Sequence, residues 1–181
     1  MGIMANWLEI MKSASIAMAV TLALTTNLAA AATGHAQAPE RIKQHNAWGS
    51  YSHTSDAGKT CYILSVPTEK LPADRDHGEV FFMLAQHPGQ NTALEPQFVV
   101  GYAFKDDSRV TLEIDGRKFN MFTRGQNAWM ENPAEEPLVV EAMRAGSTMS
   151  VTGESRRGTQ THYTYSLSGV TASLSDIEAC K

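Results

Sequence analysis

The sequence predicts a mainly β fold: an antiparallel sandwich or barrel-like core of about nine short strands, one helix before the last two strands, and a short C-terminal helix. Three observations carry this expectation. Short apolar, β-branched or aromatic runs recur between turn residues, as over 62–66, 80–84 and 98–104. An Asp115-Gly116 pair stands between two alternating runs, the residue pair that a two-residue type I′ hairpin favours. Helical spacing of apolar residues is confined to a stretch after Asn132 and one after Val170.

The chain opens with an address. Lys12 precedes an apolar core from Ile16 to Leu24, and small residues follow from Asn27 to Ala32. That order of charge, apolar core and small-residue exit marks a secretory signal peptide. A membrane-spanning helix needs about 20 apolar residues, and this core is about half that length. Cleavage is expected after Ala36, because the other exit, Ala36-Gln37-Ala38, would place Pro39 just past the cut. Residues 1–36 are therefore assigned to the leader and residues 37–181 to one mature β domain. Glu9 is out of place before an export core, so the start at Met1 or at Met11 stays open. No cysteine follows the apolar core, so no lipid anchor is expected, nor any transmembrane anchor once the leader is removed.

In the mature part, Tyr62-Ile63-Leu64-Ser65-Val66 stops at Pro67, Val80-Phe81-Phe82-Met83-Leu84 lies between Gly78 and His87-Pro88-Gly89, and the run from Phe98 to Phe104 follows Pro96. Around the Asp115-Gly116 turn, the register pairs Ile114 with Arg117, Glu113 with Lys118, Leu112 with Phe119 and Val110 with Met121. One face is then apolar and the other carries opposite charges. Asn132 is a cap, Pro133 suits a first turn, Glu135 has the capping-box spacing, and Pro137 delays the regular helix. Leu138, Val139, Ala142 and Met143 form the apolar stripe, and Gly146 ends the helix. Strands are expected over 149–154 and 163–167 with Arg156-Arg157-Gly158 as their turn. Val170, Leu174 and Ile177 then mark a short helix leading to Cys180.

Composition excludes some functions. Fifteen Lys and Arg against nineteen Asp and Glu give a net charge of −4, so there is no basic footprint for nucleic acid. With 43% hydrophobic residues the chain is not a disordered one. Cys61 and Cys180 are the only cysteines, and an even count in an exported chain reads as a disulfide. No CxxC, Gly-x-Ser-x-Gly, His-Glu-x-x-His or phosphate-loop motif occurs, so no catalytic residues, metal or cofactor are assigned. The acidic stretch Asp74-Arg75-Asp76-His77 lacks calcium-loop spacing and reads as a solvated loop. His45, His53, His77 and His87 are expected at the surface, and Trp48 and Trp129 in the core. Binding residues concentrate on loops held by a rigid scaffold. The charged candidates are accordingly Arg156 and Arg157 at one turn, with Asp74, Asp76 and His77 in the other loop.

The ordered set of short matches from Trp48 to Cys180 resembles the invasion-associated locus B family of exported alphaproteobacterial proteins. It runs through Ala47-Trp48-Gly49-Ser50-Tyr51, Cys61-Tyr62-Ile63-Leu64-Ser65, Gly101-Tyr102-Ala103-Phe104-Lys105 and Asp115-Gly116-Arg117-Lys118-Phe119. Ala128-Trp129, Val140-Glu141-Ala142-Met143-Arg144-Ala145-Gly146, Tyr165-Ser166-Leu167-Ser168-Gly169 and Ala179-Cys180 complete it. The resemblance implies a β-sandwich-like fold, export, a single Cys61–Cys180 bridge, and a role in the envelope linked to host-cell entry. It implies no catalytic residues. The expectation is a monomeric, non-enzymatic binding protein, periplasmic, outer-membrane associated or secreted, whose partner is a macromolecule of the envelope or host surface. A small periplasmic ligand carrier or a hydrolase is the alternative, which a deep pocket with convergent polar groups would favour.

Overall fold

The computed structural model describes residues 38–56, 58–86 and 94–178. The expected leader, His87 and Cys180 lie outside them. Eleven strands form one antiparallel sheet: β1 (Glu40–His45), β2 (Trp48–Ser55), β3 (Gly58–Ser65), β4 (Glu69–Leu71), β5 (Phe81–Gln86), β6 (Leu94–Val99), β7 (Arg109–Ile114), β8 (Arg117–Arg124), β9 (Asn127–Met130), β10 (Thr148–Glu154) and β11 (Gln160–Ser166). Their order across the sheet is β1-β2-β3-β5-β6-β9-β8-β7-β10-β11-β4. Helix α1 (Glu136–Ala145) lies between β9 and β10, and α2 (Val170–Glu178) follows β11. No helix among the described residues is long and apolar enough to cross a membrane.

Alternation decides which side of each strand is buried. On β3, β7, β10 and β11 every second residue is inside, and these inward residues include Ile63, Leu112, Val151, Tyr163 and Tyr165. The sheet curls so that its two halves share this core. The indole Nε1 of Trp48 donates to the Ser166 carbonyl at 2.9 Å, joining the start of β2 to the end of β11 although the two are distant in strand order. Across the interior, Phe98 and Tyr163 lie 5.4 Å apart between ring centroids, and Phe82 and Tyr165 6.3 Å. Aromatic pairs of this kind contribute about 0.5–1.5 kcal/mol each beyond their buried area. The result is a sandwich-like, mainly β fold, as expected.

The β7–β8 hairpin has the expected register, with Glu113 opposite Lys118 and Leu112 opposite Phe119. Asp115 and Gly116 both adopt positive φ (46° and 86°), as a type I′ turn requires. The outward Glu113–Lys118 pair is 3.7 Å apart, and exposed pairs contribute only about 0–1 kcal/mol, so the buried face holds the hairpin.

Other expectations are corrected. Among the described residues there are eleven strands and not about nine: β1 is polar and almost wholly exposed, β2 is rich in small polar residues, and β4 and β9 are too short to show alternation. The strand expected over 98–104 ends at Val99. It runs instead back through Pro96, which is tolerated because only Gln97, Phe98 and Val99 pair with β9. Residues 100–103 leave the sheet, and Phe104 makes an isolated bridge with Ser155. Asn132 caps a 3₁₀ turn over Pro133–Glu135 by accepting from the Ala134 N–H, and α1 begins behind it. In α1 the buried pair is Val139 and Met143, whereas Leu138 is 39% exposed. Trp48 is in the core, but Trp129 is not: it stacks on the exposed Phe122 on the outer face of β8 and β9.

Candidate functional site

The loop between β4 and β5 and the turn between β10 and β11 flank a half-open cleft of about 770 Å³. Its rear is the stretch after β6 that was expected to be strand. Two tight contacts make it. Gly101 passes so close to the 72–80 loop that a Cβ on it would sit 2.6 Å from the Gly78 Cα and 2.7 Å from the His77 carbonyl. In that space the Gly101 N–H donates to the His77 carbonyl at 3.1 Å. On the other side, the Arg156 N–H donates to the Ala103 carbonyl at 2.9 Å. Within the loop, Asp76 accepts from the Gly78 N–H at 2.8 Å, which closes a local turn.

Behind the cleft lies a hydrogen-bonded chain of buried side chains. The Nε2–H of His77 donates to the Pro72 carbonyl at 2.9 Å, and its Nδ1 lies 2.7 Å from the Tyr163 hydroxyl. The Tyr163 hydroxyl is 3.1 Å from that of Tyr102, which is 2.6 Å from Thr161 Oγ1. Burial, and then the neighbouring Tyr102 hydroxyl, push the Tyr163 phenol far above its ordinary range; burial also raises Tyr102 and Tyr165. All three therefore stay un-ionised at neutral pH. His77 is only 6% exposed, which corrects its expected place at the surface. The ring is buried because both nitrogens find partners inside. With both nitrogens committed, His77 holds the 72–80 loop in place at the cleft wall.

The rim carries charge. Arg75 and Asp74 are 3.8 Å apart, Arg156 and Asp106 3.5 Å, and all four side chains are mostly exposed. Arg157 has no ion partner among the described residues. Elsewhere the pairing is tighter: Arg109 holds Glu131 through three contacts of 2.7–3.1 Å, a hydrogen bond that keeps the Glu131 carboxyl below its ordinary range.

All five charged candidates read from the sequence thus meet in one place: Asp74, Asp76 and His77 on one wall, Arg156 and Arg157 on the other. Tyr102 and Gln126 also line the cleft and carry no signal in the sequence, whereas Thr161, also in the lining, belongs to the stretch Thr159 to Thr164 beside Arg156 and Arg157, which could bind an anion or a glycan but reads first as a hairpin tip. Tyr102 falls in the run 98–104, whose strand-like side chains hide its place in the cleft.

A second constellation has the residue types of a hydrolase triad but not its geometry. Ser50 Oγ donates to Asp176 at 2.7 Å, and His45 Nε2 lies 2.9 Å from the same oxygen. Serine and histidine each face the carboxylate and not one another, so the histidine cannot activate the hydroxyl. The contacts fasten α2 to β1 and β2. His45 is thereby partly buried, not a surface residue as expected. Among the described residues, no group of three or more His, Cys, Asp or Glu is placed to hold a metal ion. Cys61 on β3 is 2% exposed and is not a free thiol.

Comparison with known proteins adds two findings. The sequence profile of the family described as Invasion associated locus B (IalB) protein matches residues 50–178. Among solved structures, the crystal structure of invasion associated protein b from Bartonella henselae has a similar fold, with a TM-score of 0.57 and 14% sequence identity over 80% of this chain and 98% of that one. No curated protein matches the chain in sequence.

Proposed function

The chain belongs to the invasion associated locus B family, and from that premise we propose that it is an exported, non-enzymatic envelope protein that binds a macromolecule through the cleft between its 72–80 loop and its β10–β11 turn. The observation that carries the proposal is the convergence of two charged loops, distant in sequence, on one half-open cleft with a fixed floor, which is not the deep enclosed pocket of the alternative reading. The engagement of both His77 nitrogens and the inward hydrogen bonding of Ser50 and His45 support binding over turnover. Because the similar Bartonella henselae protein is named for invasion, the partner is sought on the envelope or the host surface. The leader expected over 1–36 supports a location in the periplasm, at the outer membrane or outside the cell, where the mature chain acts as a monomer.

A Cys61–Cys180 bridge fits an oxidising compartment. Helix α2 packs on β2 and β3, the strand that carries Cys61, and ends at Glu178, two residues short of Cys180. The test is sedimentation of purified mature protein with isolated envelope fractions and with host-cell membranes. Specific sedimentation lost in the Arg156→Ala/Arg157→Ala double variant, with the fold intact, is the expected result. Equal sedimentation of variant and wild type would contradict it, as would turnover of an esterase, protease or glycosidase substrate abolished by changing one histidine.

A further inference from the structure

We infer that the cleft is built for an anionic saccharide, a sugar chain bearing carboxylate, sulfate or phosphate groups; this rests on the binding function proposed above. The chain as a whole carries a charge of −4, yet the cleft is lined by three arginines against two aspartates. Those arginines are loosely held. Arg75 and Arg156 have only long contacts, 3.8 and 3.5 Å, to exposed carboxylates, and Arg157 has no ion partner among the described residues. Exposed pairs at such distances contribute little. A carboxylate, sulfate or phosphate group taking the planar guanidinium in two-point contact forms the stronger interaction. Arg109, bound to Glu131 through three short contacts, has no such freedom and lies outside this cleft.

The remaining lining selects the rest of the ligand. Thr159 and Gln126 offer hydroxyl and amide groups that both donate and accept, and Asp74 and Asp76 offer acceptors, above a floor in which the Tyr102 and Thr161 hydroxyls are bonded to each other and inward to Tyr163 and Gly153. Sugar hydroxyls need both kinds of partner. The cleft volume, about 770 Å³, lies within the range of about 300–1,000 Å³ usual for ligand sites. The Tyr102–Thr161 and His77–Tyr163 hydrogen bonds hold the floor before any ligand arrives, so little ordering is needed on binding.

Titration calorimetry of the full mature protein tests this with three probes. These are a sulfated glycosaminoglycan hexasaccharide, a phosphorylated core oligosaccharide from delipidated lipopolysaccharide, and neutral chitohexaose. One of the two charged chains is expected to bind at least tenfold tighter than chitohexaose, and which one identifies a host or an envelope source. Arg156→Ala/Arg157→Ala should weaken that binding at least tenfold with an unchanged unfolding midpoint, since both side chains are exposed. Lys59→Ala/Arg124→Ala, two exposed cations outside the cleft, should change it less than twofold. Equal binding of charged and neutral sugars, or equal losses in the two double variants, would overturn the inference. If wild type binds no charged sugar while the Arg156/Arg157 variant still loses envelope sedimentation, the saccharide inference falls and the binding function stands. If that variant sediments like wild type, the cleft itself is the wrong site.

Discussion

Tyr163 and Tyr165 sit two residues apart on β11, both fully buried on the same face, and differ in what their hydroxyls meet. Tyr163 is 2.7 Å from His77 Nδ1 and 3.1 Å from Tyr102; the Tyr165 hydroxyl has no hydrogen-bond partner among the described residues. The same substitution should therefore act in opposite directions. Tyr163→Phe keeps the ring but strands a buried imidazole nitrogen, and leaving one buried polar atom unsatisfied costs about 1–3 kcal/mol. Tyr165→Phe removes a hydroxyl that was desolvated without return, so it should be neutral or stabilise by about 1 kcal/mol. For a chain of this size, 1 kcal/mol moves the melting temperature by about 3–4 °C. Tyr163→Phe is expected to lower Tm by about 3–10 °C and Tyr165→Phe to leave it unchanged or raise it slightly. Urea unfolding of the mature protein should give shifted midpoints with unchanged slopes. A Tyr165→Phe loss as large as that of Tyr163→Phe would refute the hydrogen-bond account of the cleft floor.

Three further outcomes follow from the geometry. The Ser50 hydroxyl and then His45 hold the Asp176 carboxyl below its ordinary range against its partial burial. Its contribution to stability is therefore present above the unfolded value of about pH 3.9 and is lost as pH falls through the lower folded value. Wild type should be more stable than Asp176→Asn at pH 6, and the two unfolding midpoints should converge below about pH 4. Gly101→Ala places a Cβ within 2.6–2.9 Å of three backbone atoms that no rotamer change can move. It should cost about 1–3 kcal/mol in urea unfolding and weaken ligand binding, since the cleft wall must shift. Native exported protein should show no alkylatable thiol without reductant, and Cys180→Ser should lower Tm by several degrees, since closing a loop of about 120 residues is worth up to about 4–5 kcal/mol. Two thiols alkylated in native material would contradict the bridge.

What was legible in the sequence was local. The β7–β8 register followed from one Asp-Gly pair and a two-residue period, and α2 followed from Val170, Leu174 and Ile177, all buried. Polar or short strands carried no such signal: β1 is held by pairing with β2 and by the His45–Asp176 contact to α2, not by a buried apolar face. The stretch after Val99 was misassigned because Tyr102 and Phe104 have strand-like side chains. The backbone around them is instead fixed by Gly101 on the His77 carbonyl, Ala103 on the Arg156 N–H and the Phe104 N–H on the Gly125 carbonyl. Site legibility had the same limit. Charged loop residues could be singled out one loop at a time, but their convergence depends on Gly101 fitting against Gly78, a contact between positions with no side chain to read. His77 shows the reverse error: a polar residue in a charged loop looks exposed until its partners, Pro72 and Tyr163, are placed around it.

The claim that the two loops form one binding site is tested most directly by hydrogen–deuterium exchange of the mature protein with and without the envelope fraction that it sediments with. The expected result is reduced exchange confined to peptides covering residues 72–80, 100–105 and 155–161, with the strand core unchanged. Protection confined instead to β8 and β9, around the stacked Phe122 and Trp129, or no protection in either loop, would contradict it.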